Sequence, residues 1–160
     1  MAVYSGPIKI AIQANKYRRN ISIGIELSKL IVEYVKGTNI DFEVIIPIPL
    51  GENRLKERGY NQVGTFAFPL SLIVGVHYSA KSLKRIRETN PQVGLSAADR
   101  RINVENAFLA DPEFVKNKNI LLLDDVATTG ATLSSAAEAL QKAQANKVYA
   151  MTIARALSRN

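Results

Sequence analysis

Apolar residues recur along this chain in two rhythms. From Pro7, which suits a first helical turn, Ile8, Ala11 and Ile12 fall at helical spacing. The rhythm returns more strongly after Ser22, a capping residue, where Leu27, Leu30, Ile31, Tyr34 and Val35 form a stripe that Gly37 can close. Phe42 to Ile48 is instead β-branched and nearly all apolar, stopped by Pro47 and Pro49, as suits a strand covered on both faces. Helical spacing reappears at Val63, Phe66, Ala67 and Leu70, but Pro69 is expected to end or kink that helix. Val74 to Tyr78 and Ser82 to Ile86 read as short strands. Residues 87 to 106 are polar and charged and predict a long loop with a short helix near Ala97, a kind of segment that often forms a lid. Asn119 to Leu123 is the clearest strand; a tight polar loop, a helix over Leu133 to Ala145 and a strand over Val148 to Ala154 follow. Strands alternating with helices predict an α/β fold with a mostly parallel twisted sheet flanked by helices. The expected organisation is one domain over residues 1–160, with N-terminal helices over 1–40 and a core over 41–160.

The chemistry concentrates at the end of the clearest strand. Asp124 and Asp125 follow Ile120 to Leu123 directly, and Thr128-Thr129-Gly130-Ala131-Thr132 then enters an alanine-rich helix. In an open α/β sheet, ligands collect beyond the carboxyl ends of the strands. A loop entering a helix there offers backbone N–H groups and the positive end of a helix dipole, which suits an anion. Gly130 permits close approach, and the threonine hydroxyls can donate to phosphate oxygens. Two carboxylates would repel that phosphate, so their better use is to hold neutral hydroxyls or to act near a magnesium ion. The bland alternative is a capped helix with two solvated acids in its turn.

Strand, acid pair and Thr-Thr-Gly loop together resemble the signature with which type I phosphoribosyltransferases bind 5-phosphoribosyl-1-pyrophosphate (PRPP). Pro47-Ile48-Pro49-Leu50, Arg54 and Arg58-Gly59-Tyr60-Asn61-Gln62 narrow the likeness to the competence protein F family. So do Arg85-x-Arg87-x-Thr89-x-x-Gln92-x-x-Leu95 and the positions onward through Arg100, Asn103 and Ala107-Phe108. The resemblance implies a type I phosphoribosyltransferase fold. It implies that Asp124 and Asp125 contact the ribose hydroxyls and that Ala127, Thr128, Thr129, Gly130, Ala131 and Thr132 wrap the 5-phosphate. It assigns the loop from Pro49 through Leu50 and Gly51 to Asn53 to pyrophosphate, with Arg58 beside it, and the long loop with Arg87, Arg100 and Arg101 to closure over the site. Asp124 and Asp125 are thus candidate catalytic groups together with Arg87 and Arg100. The implied reaction is transfer of the phosphoribosyl group to a nitrogen acceptor, with Mg2+ brought by PRPP rather than held directly by the protein, or met by Asp124 or Asp125 through water. A homodimer, and a partner in the competence machinery or DNA, are further expectations from the family. This chain departs from the family in lacking its cysteine-rich N-terminal segment, and in carrying Phe66-Ala67-Phe68-Pro69 where a regular alanine- and leucine-rich helix is usual. Asn61 and Gln62 read equally well as helix caps or as ligand groups.

Composition trims the alternatives. The chain has 21 basic and 14 acidic residues, a net charge of +7 that favours a polyanionic partner, whether nucleic acid or a small polyphosphate. With no cysteine and one histidine, disulfides, thiolate metal sites and a histidine-rich zinc site are excluded. Gly-x-x-x-x-Gly-Lys-Ser/Thr and Gly-x-Gly-x-x-Gly are both absent, which argues against a nucleoside-triphosphate P-loop and a dinucleotide fold. No apolar run approaches the roughly 20 residues that span a bilayer, and no export signal is visible, so the expected location is cytoplasmic with no membrane partner.

Overall fold

The computed structural model describes residues 2–17, 21–87 and 106–156. Its centre is a five-stranded sheet in the order β1 (Ala2–Val3), β7 (Lys147–Arg155), β6 (Asn119–Ala127), β2 (Val44–Pro47), β3 (His77–Tyr78), every pair parallel. A separate antiparallel pair joins β4 (Leu83–Arg85) to β5 (Phe108–Ala110). The six helices among the described residues are α1 (Gly6–Tyr17), α2 (Ile21–Lys36), α3 (Glu52–Arg58), α4 (Gly64–Val74), α5 (Pro112–Val115) and α6 (Ala131–Lys142).

Both faces of the sheet are covered, which is why its central strands read as unbroken apolar runs. Ile45, Leu121, Leu123 and Ile153 point to one face and pack under α1, α2 and α4 through Ile12, Leu27, Ile31, Phe66 and Leu70. Val44, Ile46, Ile120 and Leu122 point to the other and meet Leu83, Phe108, Val115, Ala136 and Leu140. Ile120 to Leu123 are all fully buried, because β6 sits between β2 and β7 with helices above and below.

The connections leave β6 and β2 in opposite directions. After β6 the chain crosses by α6 to β7; after β2 it crosses by α3 and α4 to β3, on the other side in the strand order. A crevice therefore opens between the carboxyl ends of β2 and β6, the topological switch point at which open α/β sheets bind ligands.

The structure corrects three readings of the sequence. Pro69 neither ends nor breaks α4, which runs on to Val74, leaving only His77 and Tyr78 as strand; burial of Phe66, Ala67 and Leu70 outweighs the hydrogen bond that proline cannot make. The stripe of α2 is rotated from its expected position. Gly24, Leu27, Ser28, Ile31, Val32 and Val35 are buried, whereas Leu30 and Tyr34 are more than half exposed. Small residues at 24 and 28 let α2 lie close to α4, and that approach turns the larger side chains outward. Strands β1 and β5 and helices α3 and α5 were not foreseen, being too short to show a period. The predicted helix near Ala97 and the greater part of the predicted lid lie outside the described residues.

The α2–α4 approach has a sharp consequence. Pro69 lacks the N–H that would serve the Thr65 carbonyl, and a Cβ built on Gly24 would stand 2.5 Å from that same oxygen. Gly24→Ala is expected to lower stability by about 1–3 kcal/mol in urea unfolding. Gly37→Ala, whose added carbon meets only ordinary contacts at 3.6 Å, should change it by less than about 0.5 kcal/mol.

Candidate functional site

At the switch point lies a cavity of about 460 Å³ lined by the ends of four strands. Tyr4 follows β1, Ile48 to Leu50 follow β2, Asp124 to Val126 lie at the end of β6 with Thr128 just past it, and Ala156 follows β7. Lys16 and Tyr17 enter from α1, Arg54 and Arg58 from α3, Arg85 from β4, and Thr132 from α6. Four cationic side chains thus share one cavity with two carboxylates.

The acids are held unequally. Asp124 Oδ1 accepts the Asp125 backbone N–H at 2.9 Å, and Asp125 Oδ1 accepts that of Val126 at 2.7 Å. Asp125 Oδ2 also accepts the Gln62 side-chain amide at 3.1 Å and lies 3.9 Å from Lys16 Nζ, a long ion pair. Asp124 lies deep under surrounding atoms, with one edge open to the cavity. Burial, and then the charge on Asp125, push its pKa up to about 8, against the Asp125 backbone N–H, Lys16 and Arg85. Tyr4 is likewise raised, chiefly by burial and then by Asp125 and Tyr17.

The loop after β6 is tight. Gly130 adopts φ 81°, a left-handed conformation that a side chain would strain, and its carbonyl accepts from Ser134 at the start of α6. Thr128 and Thr132 face the cavity, Thr129 is exposed, Ala131 is buried, and Ala127 ends the strand. The Thr129 hydroxyl accepts the Ala131 N–H at 3.3 Å, closing the turn on itself. Pro49 and Leu50 line the cavity, and Gly51, buried, is the residue before α3. Arg87 is exposed just past β4 and does not line this cavity; Arg100 and Arg101 lie outside the described residues.

The Arg58-Gly59-Tyr60-Asn61-Gln62 segment builds the wall behind the acids. Asn61 is both anchor and cap: its side chain donates to the Ile48 carbonyl at 2.9 Å and accepts the Val63 N–H at 3.0 Å. Tyr60 donates its hydroxyl proton to the Asn15 carbonyl in α1. Asn15 is buried, donates to the Gln62 carbonyl at 3.0 Å and lies 2.8 Å from the Thr65 hydroxyl. Sequence reasoning passed over Asn15 and gave Lys16 and Tyr17 no place in the site. A lone Asn on a helix looks like solvent surface, and only the tertiary fold brings α1 to residues 60–65. Among the described residues no group of three or more His, Asp or Glu is placed to hold a metal ion, and no helix is long and apolar enough to cross a membrane.

Residues 60–160 match the phosphoribosyl transferase domain family. The chain is 34% identical to competence protein F of Haemophilus influenzae over 161 residues, 96% of this chain and 70% of that protein. It is 30% identical to the DNA utilization protein YhgH of Escherichia coli (strain K12), over 98% of this chain and 71% of that one. By structure it is similar to an adenine phosphoribosyltransferase from Thermoanaerobacter pseudethanolicus, with a TM-score of 0.53 and 10% identity over 86% of this chain and 83% of that one. It also matches the glutamine PRPP amidotransferase of B. subtilis, with a TM-score of 0.53 and 19% identity over 89% of this chain but 26% of that one. The fold is that of a phosphoribosyltransferase. Within that class, the chain belongs to the competence protein F family.

The elevated Asp124 generates a stability prediction. A carboxyl whose folded pKa lies above its unfolded value makes a contribution to stability that is full below about pH 4 and is lost as pH rises toward 8. Asp124→Asn keeps an acceptor for the Asp125 N–H but removes the charge. Urea unfolding of the variant should show a gain of about 1 kcal/mol or more at pH 7 and almost none at pH 4.

Proposed function

We propose that the cavity binds PRPP and that the protein transfers its phosphoribosyl group to a nitrogen acceptor, releasing pyrophosphate. The observation that carries this reading is the placement of the acid pair and the Thr128–Thr132 loop at one switch-point crevice, facing cations from three other elements. In this reading Asp124 and Asp125 accept hydrogen bonds from the ribose hydroxyls. The threonine hydroxyls and the backbone around Gly130 take the 5-phosphate. Pro49 to Gly51 border the pyrophosphate, with Arg54, Arg58 and Arg85 offsetting its charge. A magnesium ion carried by PRPP would neutralise phosphate charge and ease departure of the leaving group; the two carboxylates suit contact with it through water. No covalent nucleophile is required, since positioning and charge stabilisation serve this chemistry. Arg87 and Arg100 keep the proposed role of closing over the leaving group.

A second reading, a PRPP-binding accessory of competence or DNA use without turnover, is favoured by the names of the relatives, competence protein F and DNA utilization protein. Pyrophosphate release separates the two. A panel of nucleobases and amines supplied with PRPP and Mg2+ should yield pyrophosphate with at least one member, whereas an accessory protein binds PRPP and releases none with any of them.

The 5-phosphate assignment is testable alone. Ribose 5-phosphate should bind the full chain, and Thr132→Val and Gly130→Val should each weaken it about tenfold or more by calorimetry, roughly 1.4 kcal/mol. Unchanged affinity in both variants would remove the phosphate from this loop.

A further inference from the structure

Resting on the reading of this cavity as a PRPP site, we propose that Gln62 is a positioning residue that joins the Arg58 guanidinium to the Asp125 carboxylate, making the pyrophosphate and ribose sides of the site one mechanical unit. Gln62 is 4% exposed, and both ends of its side-chain amide are engaged. Arg58 Nη1 donates to Oε1 at 3.1 Å, and Nε2 donates to Asp125 Oδ2 at 3.1 Å. The order cation, carbonyl, N–H, anion has one electrostatically sensible direction. A flipped amide would set its NH2 against the guanidinium and its carbonyl against the carboxylate. Each bond also polarises the other, because the amide dipole lies along the field between the charges.

Gln62 cannot drift, since its backbone carbonyl accepts from the buried Asn15 at 3.0 Å and lies 2.7 Å from the Thr65 hydroxyl. Arg58 is steadied from the other side, its guanidinium 5.4 Å over the Tyr17 ring. A pull on Arg58 by a bound phosphate is thereby felt at Asp125, and the reverse, without either group moving far. Simple packing would not require an amide here; a methionine has much the same length and fills buried space as well.

Two measurements on the full chain test this. The first needs no ligand. The Gln62 side-chain amide resonances in a 1H–15N spectrum should exchange slowly with water and shift in both Asp125→Asn and Arg58→Met. Exchange at free-solvent rates, or resonances unmoved by both substitutions, overturns the link. The second is PRPP affinity in Mg2+. Gln62→Met should weaken binding at least tenfold, and the losses from Arg58→Met and Asp125→Asn, non-additive when Gln62 is present, should become additive when it is methionine. A Gln62 with a merely structural role predicts a lower Tm with that coupling intact, which overturns the proposal. Should Gln62→Met fail to fold, Gln62→Glu serves, since it keeps the acceptor for Arg58 but replaces the donor to Asp125 with a repelling carboxylate oxygen; wild-type affinity in that variant overturns the proposal equally. Wild type that binds no PRPP sinks the functional reading, while the amide resonances still decide the link.

Discussion

Four consecutive side chains of β6, Ile120 to Leu123, are shut away from water, and the two that follow are acids. An apolar run of that kind stays dry only if neighbouring strands flank it and helices lie across both faces of the sheet. Carboxylates can follow it only where that cover stops, since an uncompensated charge beneath the helices would cost several kcal/mol. The carboxyl end of β6 is such a place, and the opposite departures of the chain from β6 and β2 keep it open. Most of what surrounds the site can be read as an answer to the pair of acids left there.

The answers differ for the two acids, although they are neighbours in sequence. Consecutive residues of a strand point to opposite faces. Asp125 turns toward the side covered by α1 and α4, where Gln62 and Lys16 meet it. Asp124 turns toward the side of α6 and the β4–β5 pair, where burial dominates and only Lys16 and then Arg85 oppose it as cations. One carboxylate is therefore fixed by donors while the other is left short of them, a pairing that often marks a site built for function rather than stability. The N-terminal helix is part of this arrangement, because Asn15 fastens its last turn to residues 60–65 and so delivers Lys16 and Tyr17 to the cavity.

How much of this could be read from the chain alone follows from how local each signal is. The α/β class, the strand from Asn119 and the helix after Gly130 are short-range patterns and all appear, although the strand expected to end at Leu123 runs on through both acids to Ala127. Asp124, Asp125, Thr128, Thr132, Pro49, Leu50 and Arg58 do converge on one cavity, because the strand ends bring them there. Asn15, Lys16 and Tyr17 stand more than forty residues from their partners in the motif, and no periodicity announces such a contact. The same holds for the turn of α2 toward α4, which depends on the fit of Gly24 against Thr65 rather than on the apolar stripe. Pro69 misled for a related reason. Its local cost is real, but the buried surface of α4 exceeds it. Arg87 shows the limit of a motif, since it lies beyond the cavity that its neighbour Arg85 helps to line.

The central claim, that this cavity is a PRPP site organised by the acid pair, is tested most directly by calorimetric titration of PRPP with and without Mg2+. The comparison is wild type against the double variant Asp124→Asn, Asp125→Asn, with folding of both checked by circular dichroism. The account predicts magnesium-dependent binding by wild type and its loss in a variant that is folded. Folded wild type that takes up no PRPP, or a double variant that binds it as well as wild type, would contradict it.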